Sequence, residues 1–194
     1  MRSILTGWTA SIRRWVDTQA QDAPGGDPDR IDWTRALPFA LLHAGCLGVL
    51  WTGVSPAALA LAAALYAVRM FALTGFYHRY FSHRTFRTSR GMQLVFAVLG
   101  ASCAQRGPLW WAAHHRHHHR HADDAQDLHS PRRHGFWWSH MGWFLTRRAF
   151  ATDMARVPDL RSYPELRWLD RFDAAVPLAL ALGCYGLGAL LARV

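Results

Sequence analysis

Residues 56–83 read PAALALAAALYAVRMFALTGFYHRYFSH. From Pro56 to Tyr77 the stretch is apolar apart from Arg69 and Thr74, and it closes on a His-x4-His pair, His78 and His83. At ~1.5 Å per residue, about 20 residues cross a hydrocarbon core of roughly 30 Å. The spacing predicts a membrane helix that delivers two imidazoles to the water surface. Upstream, Ala36–Val54 is apolar except for His43 and Thr52, and a short uncharged link joins it to Pro56, so a tight helical hairpin is expected. Downstream, Ala174–Ala192 is a third apolar segment, with Asp173 as its expected N-cap. Its Gly183, Gly186 and Gly188 suit close helix packing. The expected fold is all-α: an integral membrane helical protein with a histidine-rich cytosolic cap. Its segments are an N-terminal piece (1–35), a transmembrane hairpin (36–77), a His-rich region (78–173) and a third span (174–192).

The formal charge of +9 comes from arginine alone. Fifteen arginines lie in 78–173 and five in the first 35 residues. Excess arginine beside apolar spans marks the cytoplasmic face, which places both regions inside, on a cell inner membrane. Nucleic acid is set aside as a partner because the arginines flank spans. Cys46, Cys103 and Cys184 sit in apolar segments and form no disulfide framework. No secretory signal opens the chain. Ser11–Val16 reads as an interfacial helix anchored by Trp8 and Trp15, and Gln21–Asp29 as a loop. Gly91–Gln105 is short for crossing and reads as interfacial or re-entrant. Phe136, Trp137, Trp138, Trp143 and Phe144 form an aromatic belt. Arg69, inside a span, is expected to snorkel or to pair.

The histidines carry the chemistry. Residues five apart on an ideal helix point about 140° apart, so His78 and His83 converge only at a bulge or a helix end. Within His114–His121, His115, His118 and His119 fall at i, i+3 and i+4 on one face. His114, His117 and His118 read almost as well, and spacing does not choose between the two frames. Nitrogen-rich sites suit zinc, copper or iron. His43 reads as a packed, hydrogen-bonded histidine, and His114 and His117 as solvated or ligating. His121, His129, His134 and His140 read as structural or surface residues. Asp123, Asp124 and Asp127 either orient imidazole N–H groups or neutralise arginine. No serine-hydrolase order, phosphate loop or nucleotide fingerprint is present.

The stretches TGFYHRYFSHRTF (74–86), AQRGPLWWAAHHRHHHR (104–120) and DLHSPRRHGFWWSHMGW (127–143) together resemble bacterial members of the membrane fatty acid (acyl-CoA) desaturase family. The resemblance runs from about residue 33 to the end. It selects the frame Trp111, His115, Arg116, His118 and His119. It implies two irons held mainly by histidine, with His78, His83, His115, His118 and His119 as ligands. It implies oxygen-dependent removal of two hydrogens from a long-chain acyl group, mid-chain, on acyl-CoA or a lipid. Gln105 and Trp111 match positions near a kink in the acyl tunnel, and Arg116 one near the acyl headgroup. Electrons would come from a ferredoxin or a cytochrome with its reductase, docking on the basic face. Asp127-Leu128-His129 departs from the family's Asp-Pro-His. The family's third histidine box and fourth span are not found before Val194. The expectation is therefore an incomplete, N-terminal form, inactive or poorly metallated alone. A di-iron hydroxylase or ketolase, and a His-rich metal-binding membrane protein without oxygen chemistry, are the alternatives.

Overall fold

The computed structural model describes residues 12–20 and 27–191. Trp8 and positions 21–26 lie outside the described residues. Within them the protein is built from helices, and a lone bridge between Ile31 and Thr146 is its β-type pairing.

The first span starts earlier than expected. Asp32 is buried, and its carboxylate accepts the Arg35 N–H at 3.3 Å, which caps helix α1 (Trp33–Cys46). A turn at Leu47–Gly48 leads into the short α2 (Val49–Thr52), and Gly53, at φ 72°, ends it in the left-handed region that favours glycine. Ser55 then caps α3 (Pro56–Phe71), accepting from Ala58 N–H at 3.1 Å, with Pro56 in the first turn. That helix does not stop at Tyr77. It continues as an 11-residue π-helical stretch, π1 (Ala72–Ser82). The two runs, Trp33–Thr52 and Pro56–Ser82, are each long and apolar enough to cross a membrane. Each has only 6% of its most apolar window buried. α1 buries Ala36 alone and α3 buries nothing, so the hairpin does not close into a packed pair. Both helices present their side chains outward, as a lipid-facing surface would.

The third apolar helix, α9 (Ala175–Leu191), comes after two single-turn helices, α6 (Pro131–His134) and α7 (Arg147–Phe150), and follows the polar α8 (Pro164–Arg171) across a 69° bend. Asp173 is not its N-cap. Leu178 N–H donates to the Ala174 carbonyl at 3.0 Å, which puts Ala174 in that position. The carboxylate of Asp173 is drawn instead to the half-buried Arg106, whose Nε is 2.9 Å away. Gly183, Gly186 and Gly188 have no atom within 4 Å of where a Cβ would stand, so no described helix packs on them.

The core lies between π1 and the cap helices. Tyr77, Phe81, Leu109, Ala112, Ala113, Val157, Leu160 and Leu166 are fully buried there. Helix α4 (Arg90–Ala101) meets π1 through Phe96 stacked on Phe76 at 3.9 Å. Gly100 lets the Tyr77 ring lie on the helix backbone; a Cβ there would stand 2.0 Å from it. Helix α5 (Pro108–His121) carries the histidine run, and its N-cap residue, Gly107, has no side chain to offer. Asp170 reaches across from α8 to do that work, accepting the Trp110 N–H at 2.7 Å. The residues just before α1 are tied to the same cap. Asp17 pairs with Arg171 at 2.8 Å, and the Trp15 indole donates to the Thr34 carbonyl at 2.7 Å. The Trp15 indole N–H is thus bound to the protein's own backbone.

Candidate metal centre

The π-helical stretch brings the first histidine pair together. Its i→i+5 bonding adds a residue to each turn, so residues five apart come to share a face. His83 N–H donates to the His78 carbonyl at 3.1 Å, and Ser82 Oγ to the Tyr77 carbonyl at 2.9 Å. Arg84, at φ 55°, then turns the chain out. The Nε2 atoms of His78 and His83 end 3.1 Å apart. The His-x4-His spacing is resolved by a bulge in the helix, one of the two routes left open by its geometry.

Helix α5 supplies the other half. His115 and His119 are one turn apart, and His115 Nε2 lies 3.0 Å from His83 Nε2. The His119 ring sits 4.7 Å from that of His83. The four donor atoms of His78, His83, His115 and His119 all lie within 4.8 Å of one another. Trp111 stacks on His115 with ring centroids 4.7 Å apart, and its indole N–H reaches Gln105 Oε1 at 3.4 Å. Gln105 and Trp111 therefore stand beside the cluster.

His118 does not join them. Residues 118 and 119 point about 100° apart on an α-helix, and His118 turns toward a second group with Asp127 and His129. Its Nδ1 is 3.1 Å from Asp127 Oδ1, and its ring stacks on His129 at 4.4 Å. Asp127 is 1% exposed and also accepts the backbone N–H groups of Asp123 (3.0 Å) and His129 (3.2 Å). The turn after α5 is thus folded around one carboxylate. Burial pushes that carboxyl up, but these donors outweigh it and hold it below its ordinary value. Asp127→Leu would leave two backbone N–H groups and an imidazole without an acceptor. It should destabilise the fold by about 2–4 kcal/mol, read as a lowered melting temperature in detergent.

The remaining histidines sort by burial. His114 and His117 are each 8% exposed, and neither faces solvent nor joins a cluster. His114 packs on Trp110 and Trp143, and His117 Nε2 meets the Gln126 carbonyl at 2.9 Å. His121 pairs with Asp124 at 2.9 Å, and His134 Nε2 lies 3.1 Å from the Asp127 carbonyl. His140 stacks on Phe136. His43 is exposed and bonded to the Phe39 carbonyl of its own helix at 2.8 Å.

A family model described as fatty acid desaturase matches residues 54–193. The chain belongs to the fatty acid desaturase family. It is 32% identical over 162 residues to an sn-1 stearoyl-lipid 9-desaturase of Anabaena variabilis, covering 82% of this chain and 59% of that protein. It is 33% identical over 171 residues to an sn-2 palmitoyl-lipid 9-desaturase of Nostoc sp. (strain 36), covering 84% of this chain and 59% of that protein. A relative matched over a shorter stretch is a hex-5-enoyl-[acyl-carrier protein] acetylenase of Moorena producens (strain JHB), 34% identical over 57% of this chain and 37% of its own. The chain thus spans 59% of the length of the first two relatives.

The cluster of this desaturase-family chain fits a transition metal. Burial, then the neighbouring imidazoles, lower His115 to about 3, and burial with His78 and His119 lowers His83. Both rings are neutral at physiological pH and present lone pairs. Two nitrogens each about 2.1 Å from one ion stand roughly 3.0–3.4 Å apart, and the observed Nε2 separations are 3.1 and 3.0 Å. Arg116, matched by resemblance to an acyl headgroup position, has no donor left for one. All five of its N–H groups bond within the chain. Asp159, Asp170 and His129 were not singled out from the sequence as parts of this architecture. No spacing marks the first two, and only the Asp-x-His of the family pattern points to the third.

Proposed function

We propose that this chain is the histidine-cluster part of a fatty acid desaturase, which removes two hydrogens from a long-chain acyl group with O2 and two irons. The observation that carries the reading is the convergence of His78, His83, His115 and His119, from two separate elements, beside an apolar span. These four would hold one iron, and His118 would face the other. Bound iron supplies the oxygen activation that an unactivated methylene pair requires. The chain's own residues orient the imidazoles. Trp111 shields one face of His115, Gln105 fixes Trp111, and Asp127 holds the His118 ring. The names of the cyanobacterial relatives support a lipid-linked stearoyl or palmitoyl substrate, desaturated at mid-chain. The arginine-rich cap supports a cytoplasmic orientation and an acidic electron donor of ferredoxin or cytochrome type.

The test uses membranes carrying the product of the full reading frame that contains these residues. They are given reduced ferredoxin, its reductase, O2 and labelled stearoyl or palmitoyl lipid, and the fatty acids are analysed by mass spectrometry. A monounsaturated product that requires O2 and reductant is expected. A hydroxylated product would move the reading to a hydroxylase, and no oxygen-dependent product would overturn it.

A further inference from the structure

We infer that Arg116 is a positioning residue that locks the two histidine pairs into register, with Asp159 as its counter-charge. The inference rests on the metal reading above. The guanidinium carries five N–H donors in a planar fork, and each has an acceptor. Nε donates to the Ser82 carbonyl at 3.0 Å and Nη2 to the Phe81 carbonyl at 2.8 Å. Nη1 donates to the Arg156 carbonyl at 3.2 Å. The Asp159 carboxylate takes the last two, from Nη1 at 2.7 Å and Nη2 at 3.1 Å.

The position of these bonds decides what they do. Ser82 precedes His83, and Arg116 follows His115. The clamp therefore joins the residues next to the two imidazoles whose Nε2 atoms lie 3.0 Å apart. Phe81 and Ser82 belong to the last turn of π1, where carbonyls lack partners within the helix. Arg116 satisfies them from a neighbouring helix. Asp159 reinforces the same joint, because its Oδ2 also lies 3.5 Å from Arg84 Nε, and Arg84 follows His83. One carboxylate thus holds Arg84 and Arg116, two of the four arginines that come directly after a cluster histidine. At the other end, Trp111 packs on both His78 and His115. The two contacts fix the angle at which α5 meets π1, and that angle sets the distance between the histidine pairs. A lysine would not serve, since its single ammonium cannot span acceptors on two peptide groups and a carboxylate fork.

The 194-residue chain, purified in detergent without oxygen, is titrated with Co(II), whose visible band reports its ligand field. Arg116→Lys should raise the Co(II) dissociation constant about tenfold or more and change the band. Helical circular dichroism and melting temperature should stay close to wild type. Asp159→Asn should fall between. Wild-type affinity and band in Arg116→Lys would overturn the inference. So would metal loss that follows loss of helical signal in both variants, which would make Arg116 a folding residue only. Wild-type protein that takes up no Co(II) would instead sink the metal reading, and the inference with it.

Discussion

His83→Ala is expected to abolish tight metal uptake by the four-histidine cluster while leaving the chain folded. His83 is the hub of the cluster. Its Nε2 lies 3.1 Å from that of His78 and 3.0 Å from that of His115, and its ring is 4.7 Å from His119. Without it three imidazoles remain, and His78 alone faces α5 from π1, its ring 4.7 Å from that of His115. Loss of an outer partner of a metal ligand already costs about 10–100-fold in affinity, so loss of this ligand should exceed about 100-fold. The fold should tolerate the change, because His83 is exposed and sits at the C-cap of π1, outside the apolar core. His121→Ala is the matched control. That residue belongs to the same histidine run but pairs with Asp124, so the variant should bind as wild type does. Anaerobic Fe(II) dialysis with metal analysis separates the two. Tight stoichiometric uptake by His83→Ala would remove the cluster from consideration.

The contrast between those two histidines bears on what was legible in the sequence. The apolar spans were legible because lipid imposes length and composition on a segment directly. Their ends were less so. Asp32 starts α1 earlier than the hydropathy does, and the π-helical bonding carries the second span past Tyr77 to Ser82. The spacing of His78 and His83 required a bulge or a helix end, and the structure answers with i→i+5 bonding. Nothing in the residues of π1 announces that bonding pattern; it follows from how α4 and α5 pack on it. Helical spacing put three histidines of α5 on one face, yet only two meet the first pair. The difference lies in Asp127, which recruits His118 from nine residues away. His114 and His117 were ambiguous because burial is a tertiary property, set by Trp110, Trp143 and the turn after α5. Asp159 and Asp170 were silent for the same reason. Each acts on a helix distant in the chain, and no periodicity records such a contact.

Gly107→Ala should disrupt the seat of α5 and lower stability by several kcal/mol. The backbone there, at φ −81° and ψ 165°, suits any residue, so the cost is one of space. A Cβ would stand 2.4 Å from Asp170 Cα and 2.4 Å from its Oδ1. Asp170 cannot retreat, because Leu166 and Leu169 of the same helix are core residues. Overpacking of this kind costs about 1–3 kcal/mol, and losing the carboxyl cap on Trp110 N–H adds about 1–2 kcal/mol. The cap itself carries a pH signature. Burial raises Asp170 from 3.8 to about 6, against the pull of Thr152, the Trp110 N–H and Arg106, while Asp173 adds to the rise. The folded state then holds a proton that the unfolded chain releases. Stability from this group is full below about pH 4 and is lost as pH rises through about 6. Asp170→Asn keeps an acceptor for the Trp110 N–H, and its amide can donate to the Thr152 Oγ that donates to Asp170 in the wild type, without the charge. It should remove this falling contribution between pH 4 and 6, leaving that of Asp173, whose carboxyl burial also raises, and the opposing rise from His114 and His115, which burial lowers to about 3. At pH 7 it should melt higher than wild type, and Gly107→Ala well below it. Melting followed by tryptophan fluorescence in detergent from pH 4 to 8 reads both. An unchanged midpoint in Gly107→Ala would mean that α8 yields, and an unchanged slope in Asp170→Asn would mean that Asp170 is charged in the folded protein.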